Sequence, residues 1–370
     1  MKRRAFLQKA IPAALAGGVL AGCRDESAGP AVITQPRIDW RLASSYPRSL
    51  DTLFGAAEFF CKRLAELTDN RFRIRAYPAG ELVPGLQVLD AVQQGTAQVG
   101  QTAGYYYTGK HPALAFETTM PFGLTARQQA AWLTRAGGLD LIAGILADFN
   151  IVPFYGGGTG AQMGGWFRKE LADLKSLRGL KMRIPGMGGE IMSQLGVTVQ
   201  VLAGSDIYMA LERGAIDATE WVGPYDDEKL GFHKIAKHYY YPGWWEPGAS
   251  ISIYANRAAW DQLPESYQAA FHAALAEANH LMVTSYDERN PAALARLLAQ
   301  GVQLRRFPDE VLVAAEKIAF ELMNERAAKD AAYRRVYEHW KQFRADSFRW
   351  FNTAEQAYQA YAFPRGQALT

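Results

Sequence analysis

Cysteine is scarce in this 370-residue chain, which contains only Cys23 and Cys61. Two cysteines cannot build the disulfide framework on which small secreted domains depend. Cys61 lies among apolar neighbours, and we expect it to be a small buried side chain. The chain therefore relies on hydrophobic cores, and its length suffices for two core-bearing lobes.

A strong charge of one sign is also missing. The formal net charge is +3, only 21% of residues are charged, and no basic stripe is interleaved with aromatic residues. This balance predicts no nucleic-acid partner.

Motifs of nucleotide binding and catalysis are absent too. The six histidines have no metal-ligand spacing, and no G-x-S-x-G segment occurs. Gly156, Gly158 and Gly160 follow a predicted strand but lack the dinucleotide spacing, so we expect them to line a cleft. A periplasmic enzyme stays an alternative, although no nucleophile–base pair supports it.

The N-terminus has the pattern of an export signal. Basic residues 2–4 precede an apolar segment, residues 10–21, which is shorter than the roughly 20 residues of a spanning helix. Residues 1–22 are therefore predicted to be a signal, and no later segment is apolar enough to span, so we expect a soluble mature body. Arg3-Arg4 resembles a twin-arginine signal, while general secretory export fits as well.

A cysteine follows this segment at the spacing of a lipoprotein signal. Leu20-Ala21-Gly22-Cys23 resembles a lipobox, in which the cysteine is acylated and becomes the new N-terminus. We expect lipid on Cys23, a tether over residues 23–37 and a membrane-attached periplasmic protein.

Hydrophobic periodicity predicts an α/β fold built from two β-α units and a helical tail. Asp51 is predicted to cap the first helix. From residue 260 the chain is predicted to be helical, with an aromatic stripe near the C-terminus. The predicted strands are residues 38–43, 72–77, 97–101, 151–154, 180–184, 198–201 and 215–221, and the predicted helices between them are 53–64, 86–94, 190–195 and 206–213.

Three polar residues stand out in this pattern. Arg183 ends a predicted strand, on the same face as Lys181, and strand ends facing a crevice are where α/β folds bind ligands. Arginine grips carboxylates through paired hydrogen bonds. Glu220 and Glu246 lie within aromatic segments that favour either a ring-lined pocket or core packing.

The residues around these positions identify a family. The chain resembles the extracytoplasmic solute receptors of tripartite ATP-independent periplasmic (TRAP) transporters, in particular the branch that binds 2-oxo acids and related monocarboxylates. The likeness extends over residues 38–362, although a lipobox is unusual in that branch. It is carried most strongly by residues 40–45, 79–87, 162–168, 179–183, 218–225 and 239–248.

The resemblance implies a two-lobed binding fold with a cleft, long crossing helices and a long C-terminal helix. One lobe would comprise residues 38–155 with about 249–285, and the other residues 156–248 with about 286–325. Residues 326–365 would form an extension through which two copies make a homodimer. The partner implied in the membrane is the TRAP permease.

It also implies roles for individual side chains. Arg183 would pair with the ligand carboxylate. A cation, itself chelated by the ligand, would be held by the side chains of Gln162, Glu220 and Glu246. The backbone carbonyl of Trp221 would be its fourth protein ligand. Tyr105 and Tyr106 would line the pocket.

The identity of the cation stays open. Glu220, Glu246 and a monocarboxylate carry −3 and Arg183 carries +1, so sodium leaves −1 and calcium leaves zero. Charge balance favours calcium, whereas the family likeness favours sodium. The ligand is expected to be a 2-oxo or 2-hydroxy monocarboxylate, with an aromatic or branched acid as the alternative.

Overall fold

The computed structural model describes residues 35–366. The predicted export signal, the twin-arginine pair, Cys23 and the tether up to residue 34 lie outside the described residues.

The strands of the described part form two sheets, which confirms the α/β class. The first sheet has the order β2-β1-β3-β10-β4, and the second has the order β11-β9-β5-β8-β6-β7. The strands are β1 (Ile38–Ser44), β2 (Phe72–Tyr77), β3 (Val99–Thr102), β4 (Ile151–Gly158), β5 (Gly165–Phe167), β6 (Lys181–Arg183), β7 (Thr198–Gln200), β8 (Ala218–Thr219), β9 (His238–Tyr241), β10 (Ser250–Asn256) and β11 (Gln303–Arg306).

Helices cover the faces of both sheets and make up the C-terminal third. They are α1 (Leu53–Leu67), α2 (Val88–Gln93), α3 (Ala115–Thr118), α4 (Ala126–Arg135), α5 (Gly138–Leu146), α6 (Gly186–Gln194), α7 (Gly204–Glu212), α8 (Pro224–Leu230), α9 (Arg257–Trp260), α10 (Glu265–Ala299), α11 (Asp309–Lys329), α12 (Ala331–Phe351) and α13 (Ala357–Gly366). A π-helical turn, Asn352–Gln356, joins the last two.

Within residues 35–366, no single helix has the length and apolar character needed to cross a membrane. One bent pair, Ala126–Arg135 with Gly138–Phe149 at 69°, meets the criterion when its two halves are combined.

Three segments carry the chain between the sheets, two short ones and the long helix α10. Residues 159–164, here called the first connector, lead from β4 to β5, and residues 242–249, the second connector, lead from β9 back to β10. They run side by side, because the Thr159 N–H donates to the Ala249 carbonyl at 3.0 Å and the Gly243 N–H donates to the Gln162 carbonyl at 3.3 Å.

Helix α10 ties the two lobes together along its length. Its 35 residues span about 50 Å at 1.5 Å per residue. It packs against α1 and β4 of the first lobe and against α8 of the second. The resemblance predicted a two-lobed fold with long crossing helices, and the structure confirms it.

Several local predictions are corrected. Gly156 and Gly158 belong to β4 rather than to a loop after it. Helix α1 begins after Thr52 with no side-chain cap, and the Asp51 carboxylate instead pairs with Lys229 and Arg289. Charged partners from α8 and α10 outcompete the weak local cap.

The predicted C-terminal helix divides into a buried and an exposed part. Its first half packs on the chain's own core and buries Tyr333, Val336, Tyr337 and Trp340. Beyond Phe348, Trp350, Tyr358, Tyr361 and Phe363 face outward and are 63–67% exposed, whereas Phe351 is half-buried beside Arg127. The aromatic stripe is therefore divided between the chain's own core and the exposed surface.

Candidate functional site

A small chamber lies between the two sheets, at the connectors. Its free space of about 280 Å3 includes the opening to solvent, so the enclosed part has room only for a small ligand. Aromatic, acidic and aliphatic side chains share the wall. The lining residues are Tyr46, Leu53, Tyr105, Tyr106, Thr159, Gln162, Arg183, Glu220, Trp221, Val222, Glu246, Ala249 and Ile251.

Arg183 and Glu220 reach the chamber from neighbouring parallel strands. Arg183 is the last residue of β6, and Glu220 follows β8, whose Thr219 is in register with Arg183. The carboxyl ends of parallel strands meet at one sheet edge, so both side chains enter the crevice there. The Arg183 guanidinium bonds the Glu220 carboxylate directly, with both side chains buried.

The remaining contacts of Arg183 fix its orientation. Its Nε donates to the Leu202 carbonyl at 3.1 Å, its Nη1 donates to the Glu220 carbonyl at 3.3 Å, and its guanidinium lies 5.1 Å from the centre of the Trp221 ring. Nη2 is buried without a hydrogen-bond partner. Lys181, predicted on the same face, stays outside the chamber because its Nζ donates to the Gly214 carbonyl at 2.6 Å.

Gln162 and Glu246 come from the two connectors. The Gln162 Nε2 donates to the Thr159 hydroxyl at 2.9 Å, which leaves its Oε1 buried and without a partner. Glu246 is buried in the chamber wall, and its own N–H donates to the Gly243 carbonyl at 3.2 Å. The structure therefore brings Gln162, Arg183, Glu220, Trp221 and Glu246 together.

Burial dominates the electrostatics of the two acids. It raises the pKa of Glu220 to about 7, although the Arg183 charge acts in the opposite direction. Burial, and next the negative charge of Glu220, raise the pKa of Glu246 well above its ordinary value. Two carboxylates this close resist simultaneous ionisation, and a cation between them would relieve the repulsion.

The predicted tyrosines lie where the lobes meet. Tyr105 and Tyr106 follow β3, with ring centroids 4.9 Å apart. Gly186, at the start of α6, has φ of +62°, and a Cβ there would stand 3.2 Å from the Tyr105 Cβ. Burial, followed by the charge of Glu246, raises the pKa of Tyr105, so its hydroxyl stays protonated and able to donate.

Sequence reasoning missed part of the wall. Tyr46 stands two residues after β1, and its ring meets the Trp221 ring edge-on at 6.4 Å. Its position just beyond the carboxyl end of a parallel strand was the signal that could have identified it. The other missed lining residues are Leu53, Val222, Ala249 and Ile251, which no local pattern distinguishes from core, whereas Thr159 belongs to the glycine-rich segment expected to line a cleft.

The available donors suit a hard cation. Among residues 35–366 no group of three or more His, Cys, Asp and Glu side chains could hold a metal. The chamber instead offers two carboxylates and an orphaned amide oxygen, and oxygen donors are what sodium and calcium take. A chamber between two lobes, with a buried arginine and these donors, fits a solute-binding protein.

Comparison with known proteins agrees with this class. Residues 43–330 match the bacterial extracellular solute-binding proteins of family 7, and the chain belongs to that family. A relative from Nostoc sp., described as a monocarboxylate 2-oxoacid-binding periplasmic protein, is 53% identical over 362 residues, covering 98% of this chain and 99% of the relative. The family and this relative are solute-binding proteins rather than enzymes.

Two solved structures share the fold closely. A TRAP transporter solute-binding protein from Bordetella bronchiseptica, with copurified calcium and picolinate, is 46% identical with a TM-score of 0.89, covering 91% of this chain and 100% of that one. A TRAP solute-binding protein from Pseudoalteromonas atlantica, with sodium and pyruvate, is 37% identical with a TM-score of 0.85, covering 88% and 99%. The family recognised from the sequence is confirmed.

Proposed function

We propose that this chain is the extracytoplasmic receptor of a TRAP transporter and binds a 2-oxo or 2-hydroxy monocarboxylate together with a cation. One observation carries the proposal: Arg183 Nη2 and Gln162 Oε1 belong to the same chamber, and both are buried without partners. Each such buried group costs about 1–3 kcal/mol when unpaired. A carboxylate on the arginine and a cation on the amide oxygen satisfy both.

The Arg183 side chain is the proposed carboxylate anchor. Its Nε and Nη1 are already engaged by protein oxygens, so Nη2 is the donor that remains for the ligand. The Trp221 ring and the two tyrosines close the space around it. A charge-assisted hydrogen bond to the buried guanidinium is stronger than one between neutral groups.

The cation is assigned to Gln162, Glu220, Glu246 and the Trp221 carbonyl. A cation held there would neutralise the acids and would offer a 2-oxo or 2-hydroxy acid a chelating partner. The protein acids and a monocarboxylate total −3 against +1 from Arg183, so calcium leaves zero and sodium leaves −1. The Bordetella relative carries calcium and the Pseudoalteromonas relative carries sodium, so the relatives support either ion.

The rest of the wall limits the ligand's other end. Leu53, Val222, Ala249 and Ile251 are apolar, and they favour a small aliphatic group over a second carboxylate. An aromatic acid is the second candidate, because the Bordetella relative copurified with picolinate. Picolinate has a ring nitrogen next to its carboxylate and offers the same chelate geometry as a 2-oxo acid.

Calorimetric titration of metal-stripped protein tests the proposal. Pyruvate, lactate, propionate and picolinate are titrated without metal, with sodium and with calcium. We expect pyruvate and lactate to bind more tightly than propionate, and only when a cation is present. The Glu220→Gln, Glu246→Gln double variant keeps the oxygens and removes the charge, so its cation-dependent binding should be lost.

Equal binding of pyruvate and propionate, unaffected by either metal, would refute the chelate and leave Arg183 as the sole determinant. Tight picolinate with weak pyruvate would assign the site to aromatic acids instead.

Delivery to a TRAP permease follows from the same assignment, and it places the protein in the periplasm. We further assign lipid to Cys23, because the cysteine has lipobox spacing, and export to the twin-arginine route through Arg3 and Arg4 or to the general secretory route. Cys23→Ala should accumulate unprocessed precursor. Mature wild-type protein that washes off membranes in salt and carries no acyl mass would exclude the tether.

The exposed aromatic end of the C-terminal helix is the proposed homodimer contact. Four large aromatic side chains, 63–67% exposed along α12 and α13, exceed what a solvent-facing helix needs.

We assign residues 38–155 with about 249–285 to one lobe, and residues 156–248 with about 286–325 to the other. The sheet memberships of β1–β4 with β10 and of β5–β9 with β11 support this division.

A further inference from the structure

A loop of residues 120–125 joins helix α12 to the connector that carries Glu246. The Arg344 Nε on α12 donates to the Phe122 carbonyl at 3.0 Å. The Phe122 N–H in turn donates to the Trp244 carbonyl at 2.8 Å, and the two rings stack with centroids 5.1 Å apart. Trp244 precedes Glu246 by two residues, so Phe122 is a direct bridge between the helix and the chamber.

The backbone of Phe122 shows that its contacts impose this arrangement. Its φ is +54°, in the left-handed region that bulky side chains rarely adopt. Such a conformation persists only where the surroundings over-determine it. Here the N–H, the carbonyl and the ring of Phe122 are all engaged, from the connector on one side and from α12 on the other.

The loop is tightly packed against both the second connector and helix α12. A Cβ on Gly248 of the second connector would stand 2.3 Å from the Ala126 nitrogen, directly after the loop. A Cβ on Gly123 would stand 2.9 Å from a ring carbon of Trp340 on α12. Because helix, loop and connector touch at van der Waals distance, a shift of one displaces the next.

Arg344 is itself fixed in place. Its guanidinium lies 4.1 Å from the centre of the Phe348 ring and 5.2 Å from that of Phe320. A guanidinium held between two rings donates to the Phe122 carbonyl with a defined direction, and the bond is charge-assisted.

We infer that Arg344 is a positioning residue for the cation site, acting through Phe122 and Trp244 on the connector that carries Glu246. The inference rests on the proposed role of Glu246 in holding a cation. Groups that hydrogen-bond a metal ligand directly change metal affinity by about 10–100-fold when replaced, and Arg344, which acts through two further residues, should have a smaller effect.

The test is calorimetric titration of calcium, and of sodium, into the full metal-stripped chain. We expect Arg344→Ala to weaken cation binding by up to about tenfold, and Arg344→Lys to recover part of the loss because it keeps a donor. Arg334→Ala is the matched control, since Arg334 on the same helix donates to the Ala327 and Ala328 carbonyls instead. Thermal unfolding without cation, run on all variants, measures the purely structural effect.

A second variant keeps the test decisive if Arg344→Ala folds poorly. Phe122→Leu removes the stacked ring but leaves the backbone bonds, and it should weaken cation binding in the same direction. Its effect and that of an Arg344 substitution should be less than additive, because both act on one bridge.

The outcomes separate this inference from the proposed function. If the wild type binds a cation, Glu246→Gln loses it, and the Arg344 and Phe122 variants bind like Arg334→Ala, then the inference is wrong and the site stands. If Glu246→Gln binds calcium and sodium as tightly as the wild type, Glu246 is not a cation ligand, and this inference falls while the carboxylate site at Arg183 stands.

Discussion

The Thr52 hydroxyl donates a 2.7 Å hydrogen bond to the carboxylate of Asp226, although 174 residues separate the two in the sequence. The Tyr286 hydroxyl donates to the other oxygen of the same carboxylate at 2.6 Å. Asp226 is fully buried, so this one side chain joins the starts of α1 and α8 to the long helix α10.

Asp226→Ala should therefore destabilise the fold strongly. It leaves two buried hydroxyls without an acceptor, and each unpaired group costs about 1–3 kcal/mol. Asp226→Asn keeps one oxygen acceptor and should cost less. Urea unfolding of the three proteins measures both effects, and equal stability of the alanine and asparagine variants would contradict the assignment.

Arg183→Ala should abolish tight binding of the acid. A buried charge that loses its partner costs roughly 3–5 kcal/mol, which corresponds to about two to four decades of affinity. Lys181→Ala is the control, because it alters the same strand at a side chain that points to Gly214 outside the chamber. Calorimetry with pyruvate and a cation measures the change. Binding by Arg183→Ala within threefold of the wild type would show that the anchor lies elsewhere.

Glu117 predicts a pH dependence of stability. Burial raises the pKa of Glu117 to about 7, against the hydroxyls of Tyr254 and Ser252, which lower it. The folded state thus holds a proton that the unfolded chain releases near the ordinary value of 4.5, so the free energy of unfolding falls as pH rises between these values. From pH 5 to pH 8 the loss from this group is about 2–3 kcal/mol.

Glu117→Gln removes that titration and should be the more stable protein at pH 8, with a smaller difference at pH 5. Chemical denaturation at both values is the measurement. If the difference in free energy of unfolding between the wild type and Glu117→Gln is the same at both pH values, then Glu117 titrates normally in the folded protein.

The proposed homodimer contact is best tested by substitution rather than by truncation. Removing everything after Asp330 would delete buried Tyr333 and Trp340 along with the exposed residues. Replacing Tyr358, Tyr361 and Phe363 by serine changes only the exposed end, so we expect a folded monomer in light scattering. Val313→Ser, at a 68% exposed residue of α11, should leave the mass unchanged. A triple variant with the wild-type mass would exclude this contact surface.

The first α/β unit could be predicted because alternation and helical spacing are strong there. The strand predicted at residues 38–43 corresponds to β1, and residues 72–77 coincide with β2. The strand predicted at residues 215–221 shortens to Ala218–Thr219, since the chain turns into the chamber at Glu220. Helices α3–α5 were missed because their spacing is interrupted by Pro121, Gly137 and Gly138.

The residues of the candidate site also fall into those that could be predicted from the sequence and those that could not. Arg183, Glu220 and Glu246 stood out because charged residues in apolar segments are costly unless they serve a purpose. Tyr46, Leu53 and Ile251 could not be told from core residues, since wall and core select the same side chains. The Phe122–Trp244 stack pairs residues 122 positions apart, and no local pattern contains that pairing.

Gln162 and Glu246 lie on the two connectors, which are the segments that must twist if the sheets rotate apart. On the proposed assignment, a cation held by both residues cross-links those segments, so opening of the cleft and release of the ion are one thermodynamic event. This coupling is reciprocal. If closure of the cleft raises the affinity for the cation by some factor, the bound cation raises the equilibrium constant for closure by the same factor. A permease that pulls the lobes apart would thus dislodge ion and acid together, without needing a contact to either.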